Sequence, residues 1–322
     1  MNKLGYGRIR RAIATVAVLL GFAGPTHAEV IFGLNTANNL ISFDSANPGA
    51  VNTVGAVLGL APGDTLVGID FRPSPGPNNG VLYAVGVNLA TGTGRIYTLN
   101  TMSALASLAS TLAADPADTT VPFPFTTVMG TSFGVDFNPV VDRLRVTSNT
   151  GQNLRINVDT GLVQLDVPLA YIVGDVNFGD SPFLTAVAYS NNFGGATSTT
   201  LRGVDRGQTP DTLVTFMSAN DGTLMTSLNL PFDSAALVNY DISGLTGTPY
   251  FSATSLGAFF STLYAAGAGG VTLVGTIGGG AALIGLAAPI GAQQFRVPEP
   301  GSLALFALSL AGLALFRRRV SR

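Results

Sequence analysis

The side chains able to do chemistry in this chain are few and mostly of one kind. Asp70 and Asp136 occupy matching positions in "LVGIDFRP" and "SFGVDFNP", and Asp241 holds a similar place in "LVNYDISG". Carboxylates repeated in this way could converge to bind a cation or act as acid and base. Alternatively each caps a nearby turn or pairs with an arginine, since a repeated position ordinarily serves the repeat. A second group lies in "DRLRVTSNTGQNLR", where Arg143 and Arg145 alternate onto one face of a strand. Arg155 follows on the next strand, after the turn at Asn149–Gly151. Three guanidiniums could grip an anionic sugar or phosphate, or could pair with Asp142, Asp159 or Asp136. In "GDVNFGD", Asp175, Asn177 and Asp180 could offer oxygens to calcium, but the EF-hand spacing is missing, and an Asx-turn loop is the alternative. Tyr83, Tyr97, Tyr189, Tyr240 and Tyr250 could present a sugar-stacking surface, although aromatics in strands more often build core.

What is missing narrows the chemistry further. The chain has no Cys, and its single His, His27, precedes the main body. Thiol nucleophiles, thiolate metal sites, Ser-His-Asp hydrolysis and His-ligated zinc therefore have no residues to run on. Lys3 is the only lysine, and between the two ends the only Glu is Glu29. A glycosidase would have to take both carboxylates of its pair from Asp. No resident cofactor is expected; calcium in the Asp175 loop is the one candidate.

These residues must be held by strands. The body is rich in Gly, Thr, Val, Asn and Ser, in short apolar runs cut by Asn, Gly, Asp and Pro. "LVGIDFRP" at 66 returns as "SFGVDFNP" at 132, with weaker echoes at 184 ("LTAVAYSN") and 237 ("LVNYDISG"). Each is followed by three more strand-like runs, and four strands per repeat of this length predicts propeller blades. The longer first step is assigned to a loop at 113–128 containing Pro-Phe-Pro-Phe. "VIFGLN", "NLISFD" and "AVNTVGAV" supply three strands near the N-terminus, and "AALIGLAAP" supplies the missing leading strand near the C-terminus. The expected fold is thus all-β: a β-propeller of five four-stranded blades, closed by strands from both ends. A β-sandwich or open solenoid is the alternative.

The ends read as addresses. Lys3, Arg8, Arg10 and Arg11 precede an apolar stretch, Ala12–Gly24, and a small-residue site that places cleavage between Ala28 and Glu29. At the other end, Ser302–Phe316 is uncharged and apolar. As a helix it would rise about 22 Å against a hydrocarbon core of about 30 Å. Arg317, Arg318 and Arg319 would hold its end on the cytoplasmic side. Half of the sixteen basic residues lie in these two ends, so the body carries 8 Arg against 17 acids, a net charge near −9. Such a body does not suit nucleic acid or anionic lipid.

Val297-Pro298-Glu299-Pro300, an apolar helix and a terminal Arg cluster resemble, in that order, the PEP-CTERM sorting signal. The resemblance implies Sec export, transient membrane tethering through the C-terminal helix, and recognition by an exosortase-type membrane protease. Release to the cell surface or matrix of an exopolysaccharide-making Gram-negative bacterium would follow. The body is similar to domain-of-unknown-function family 4394 through "IFGLNTANNLISFD", "VGIDFRP…GVLYAVG", "GVDFNPVVDRLRVTSNTGQNLRINVDTG" and "AVAYSNN". That family brings no activity with it, so no site residue is carried over. The expected organisation is a signal peptide (1–28), a propeller (29–290), a linker (291–296) and a sorting signal (297–322). The expected role is structural or binding, linked to exopolysaccharide, rather than enzymatic. The alternatives are an Asp/Arg-based glycan hydrolase or lyase, and a periplasmic protein retained by its anchor.

Overall fold

Short runs of Val, Leu, Ile, Thr and Tyr become strands, and the Asn and Asp residues that end them become turns. Asn138 shows how: its Oδ1 accepts the N–H groups of Val140 (2.9 Å) and Val141 (3.3 Å), while its backbone carbonyl accepts the N–H of Asp142 (3.0 Å), and together these close a hairpin. Asn88 and Asn100 close two others in the same way. The computed structural model describes residues 28–121, 124–234 and 237–292. The signal segment through His27 and the whole sorting signal, Val297–Pro300 and Arg317–Arg319 included, lie outside them.

The described residues form five sheets in a ring. Blade 1 contains β1 (Val30–Asn35), β2 (Asn39–Asp44) and β3 (Asn47–Ala56). Blade 2 contains β4 (Thr65–Phe71), β5 (Leu82–Asn88), β6 (Thr93–Leu99) and β7 (Ala106–Thr111). A short β8 (Ala113–Ala114) precedes blade 3, which is β9 (Phe133–Asn138), β10 (Arg143–Ser148), β11 (Asn153–Ile156) and β12 (Leu162–Leu165). Likewise β13 (Ala170–Tyr171) precedes blade 4: β14 (Leu184–Tyr189), β15 (Leu201–Asp205), β16 (Thr212–Ser218) and β17 (Thr223–Asn229). Blade 5 holds β18 (Leu237–Ile242), β19 (Pro249–Thr254), β20 (Thr262–Gly267) and β21 (Gly270–Thr276). Finally β22 (Leu283–Ala287) pairs antiparallel with β1 and supplies the inner strand of blade 1.

The five-blade propeller and its closure from both chain ends are as the repeats predict. Two edges differ from expectation. The start of the supposed 113–128 loop is β8, which adds in parallel to β12, and β13 adds in parallel to β17. Blades 3 and 4 therefore have five strands, their outer edges covered by connecting chain. Backbone contacts continue to Gly291, whose N–H donates to Asn192 O (2.9 Å).

β4, β9, β14, β18 and β22 line the axis, each against the next. Small residues make this approach possible. A Cβ on Gly134 would lie 2.9 Å from the backbone nitrogen of Val187 in the next blade, and one on Gly68 would lie 2.5 Å from Val135 Cγ2. Apolar side chains fill the gaps between blades, as where Tyr83 and Val85 of blade 2 meet Phe137 and Leu144 of blade 3. Each large apolar side chain buried in this way contributes about 1.5–3 kcal/mol.

Candidate functional site

The three repeated carboxylates do converge. Asp70, Asp136 and Asp241 are buried on β4, β9 and β18, and each offers an oxygen within 4.8 Å of the others'. Yet they are neither turn caps nor arginine partners. Asp70 accepts the N–H of Phe71 on Oδ1 and that of Phe137, in the next blade, on Oδ2, both at 2.7 Å. Asp241 repeats the arrangement with Ile242 and with Ala288 of blade 1, both at 2.6 Å. Asp136 accepts the N–H of Tyr189 of blade 4 at 2.9 Å on Oδ1, while its Oδ2 has no partner among the described residues. Aligned on the repeat, these five amides hold the same position in all five inner strands, so three carboxylates satisfy one ring of inward-pointing N–H groups.

This ring has an electrostatic consequence. Burial first, and then the neighbouring carboxylates, push Asp70 and Asp136 well above the usual carboxylate range. Burial also raises Asp241, to about 7, against the lowering pull of the Ala288 and Ile242 amides. Three carboxylates this close, deep in protein, cannot all ionise. Calcium takes six to eight oxygens, whereas five of the six here already accept backbone N–H groups, so the set does not fit it. The void alongside, lined by Gly68, Gly134 and Gly285, measures about 10 Å³, too small for a sugar. The axial carboxylates fasten blades together.

The three arginines meet elsewhere. Asp136, Arg145, Arg155 and Gln164 stand opposite one another across β9–β12, one row on the blade 3 face that packs toward blade 4. Arg143 lies two residues along β10 on the same face. All three arginines line a cavity of about 390 Å³ between blades 3 and 4, with Asp115, Tyr189 and Asn220 among its other walls. Their roles differ. Arg145, 2% exposed, donates to Asp166 (2.6 Å) and Asn153 (2.8 Å), and across the blade gap to Asn220 (2.9 Å) and Tyr189 (3.4 Å). Burial pulls this guanidinium down, but Tyr189 and Asp166 outweigh it and hold it above its ordinary value. Arg155 donates to Asp166 from Nε (3.1 Å) and Nη2 (2.9 Å). Arg143 donates only to the carbonyls of Asp142 (2.9 Å) and Val141 (3.4 Å), and no carboxylate pairs with it among the described residues. Asp166 thus neutralises one of two arginines and Asp115 stands at the wall, leaving a positive excess in a body whose net charge is near −9.

The family model described as "Domain of unknown function (DUF4394)" matches residues 39–287. The chain belongs to the DUF4394 family. The PEP-CTERM protein-sorting motif matches residues 296–319, which makes this DUF4394 chain an exported protein sorted at the membrane by exosortase. No curated protein matches it. Among solved structures, TolB from Acinetobacter baumannii is 16% identical, covering 83% of this chain and 68% of its own, with a TM-score of 0.44. The Dos1 propeller is 13% identical, covering 71% of this chain and 52% of its own, at 0.34. The calcium-binding protein regucalcin from Agrobacterium tumefaciens str. C58 is 10% identical, covering 79% of this chain and 78% of its own, at 0.39. None of these likenesses carries an argument about DUF4394 chemistry.

Other parts of the DUF4394 body have structural duties. Asp175 accepts the N–H of Asn177 (2.9 Å) and both the N–H (2.6 Å) and hydroxyl (2.8 Å) of Thr226, an Asx turn pinned to β17. Asp180 is exposed nearby. Tyr83, Tyr97, Tyr189, Tyr240 and Tyr250 are all buried and form no stacking surface. Three residues were missed by the sequence reading. Arg72 reaches from blade 2 to grip Asp142 (2.6 and 2.8 Å) and Asp159 (2.7 Å twice), two of the three acids expected to pair with the arginine patch. Asp166 and Asn220 take the patch instead. The Arg that follows "DF" in the repeat was a signal for Arg72; nothing local marks Asp166 or Asn220.

Proposed function

We propose that the DUF4394 body is a binding module of the cell envelope or extracellular matrix, taking an acidic glycan at the arginine cavity. The observation that carries this reading is Arg143: a guanidinium that no carboxylate among the described residues pairs with, facing a 390 Å³ cavity beside Arg155. The volume falls within the range of small-ligand sites, and the planar forks of arginine match carboxylate and phosphate groups. Asn138, Asn157, Gln164 and Asn220 supply amides suited to sugar hydroxyls. Sorting by exosortase supports a role outside the cell, within reach of an extracellular glycan.

The same cavity argues against catalysis. Among the described residues Asp115 is the only carboxylate on its wall, and a glycosidase needs a pair. Asp241, raised to about 7, lies in a sealed core. Calorimetric titration with uronate oligosaccharides tests the proposal. Arg143→Gln should weaken binding at least tenfold while leaving the unfolding midpoint unchanged. Absence of binding by the native protein, or equal binding by the variant, overturns it.

A further inference from the structure

Where the chain leaves the propeller bears on how the cavity is reached. The inner strands all run the same way along the axis, as the matched cross-blade contacts require: Asp70 with Phe137, Asp136 with Tyr189, Asp241 with Ala288. Their downstream ends therefore share one face of the ring. β22 is the last of them, and after it Pro289 O accepts the N–H of Gly244 (2.8 Å), while Gly291 pairs beside Asn192 and Phe193. These partners are the segments that follow β18 and β14. The arginine cavity opens on that same face, because Asn138, Val141, Tyr189 and Asn220 sit at the downstream ends of β9 and β14 and in the β16–β17 turn.

Nine residues, ten Cα-to-Cα steps, separate Ala292 from Ser302, where the apolar segment of the sorting signal starts. Fully extended they reach about 35 Å. A domain of this length has a radius of gyration near 18 Å and is about 45 Å across. The leash is shorter than the body is wide, so the face it leaves from is held toward the bilayer. We infer that the sorting tail keeps the arginine cavity turned to the membrane, so that a long acidic polymer reaches it only after exosortase has cut the tail. The access claim rests on the cavity being a glycan site; the orientation does not.

The chain contains no cysteine, so single thiols can be placed cleanly. Val141→Cys marks the cavity rim and Leu256→Cys, in the β19–β20 loop, marks the opposite face; both native side chains are exposed. Each variant, with its full tail, is put in vesicles that carry an acceptor-labelled lipid. A dye at position 141 should transfer energy more strongly than one at 256; equal or reversed transfer overturns the orientation. High-mass polyuronate should bind the tethered protein at least tenfold more weakly than the same preparation cut at a protease site placed in 293–296. A uronate trisaccharide should bind both forms alike. Equal polymer binding before and after the cut overturns the access claim alone. Failure of the released body to bind any uronate overturns the glycan reading and the access claim with it.

Discussion

Replacing the axial aspartates one at a time by asparagine should give opposite results at positions that look equivalent in sequence. Asp70 and Asp241 each accept two backbone N–H groups, one on each oxygen. Asparagine keeps one acceptor and turns an NH2 toward the second amide, at a cost of about 1–3 kcal/mol per orphaned group. Asp136 uses one oxygen only, and its other is unpartnered. Asp136→Asn keeps the Tyr189 bond and places an N–H where the cluster otherwise needs a proton. The pH dependence follows the same logic. A carboxylate whose folded value is raised keeps its proton after the unfolded chain has lost its own, so stability falls as pH rises. For Asp241, raised from 3.8 to about 7, the loss is roughly 4 kcal/mol between about pH 4 and 7, at about 1.4 kcal/mol per unit. Asp211, raised mainly by burial to about 6, slopes the same way, so the informative quantity is the difference between variant and native curves. Urea unfolding from pH 4 to 8 should show Asp136→Asn with a shallower fall and about 1–2 kcal/mol more stability at pH 7, and Asp70→Asn less stable throughout. Equal destabilisation by both, or native stability that climbs across this window, refutes the reasoning.

Arg145→Met should be far more damaging than Arg143→Gln. Arg155 still holds Asp166, but the buried oxygen of Asn153 and the Asn220 oxygen across the blade gap lose their donor, at about 1–3 kcal/mol per buried group left unsatisfied, and thermal unfolding separates the two variants. Arg72→Lys removes a fork that grips two hairpin turns of blade 3 at once, and denaturant titration should show a loss of about 2 kcal/mol. Gly134→Ala drives a methyl into the backbone at Ala186 and Val187, and the same assay should show a loss of about 1–3 kcal/mol. In the native host, terminal-peptide mass spectrometry should find a C-terminus near Pro298 in surface or medium fractions. An intact Arg322 confined to the membrane would instead mark a retained, periplasmic form.

The ring could be read from sequence because its repeat is written into the inner strands. "GIDF", "GVDF" and "NYDI" place an Asp at one register, and the spacing of these segments counts the blades. What the carboxylates do could not be read, since their partners are backbone amides 67, 53 and 47 residues away, in the next blade. An amide has no side-chain identity to recognise. The arginine patch was found because Arg143, Arg145 and Arg155 are near neighbours in the chain. Its division into a free Arg143 and a stapled Arg145 depends on Asn220, 75 residues on. β8 and β13, two residues each, are too short to leave any periodic trace.

Blade 1 takes its inner strand from the far end of the chain, and this sets the order of events during export. β1 crosses the membrane among the first segments and β22 among the last. Until β22 arrives, one side of β1 presents unpaired N–H and C=O groups, an open edge that invites the wrong partner. Pairing across some 250 residues of sequence also makes ring closure slow by topology. β22 ends ten residues before Val297, so the chain gains the means to close its ring at nearly the moment its sorting motif reaches the membrane. A folding checkpoint and a processing signal are thereby set side by side, and a protease that acted only on a closed ring would release only finished propellers.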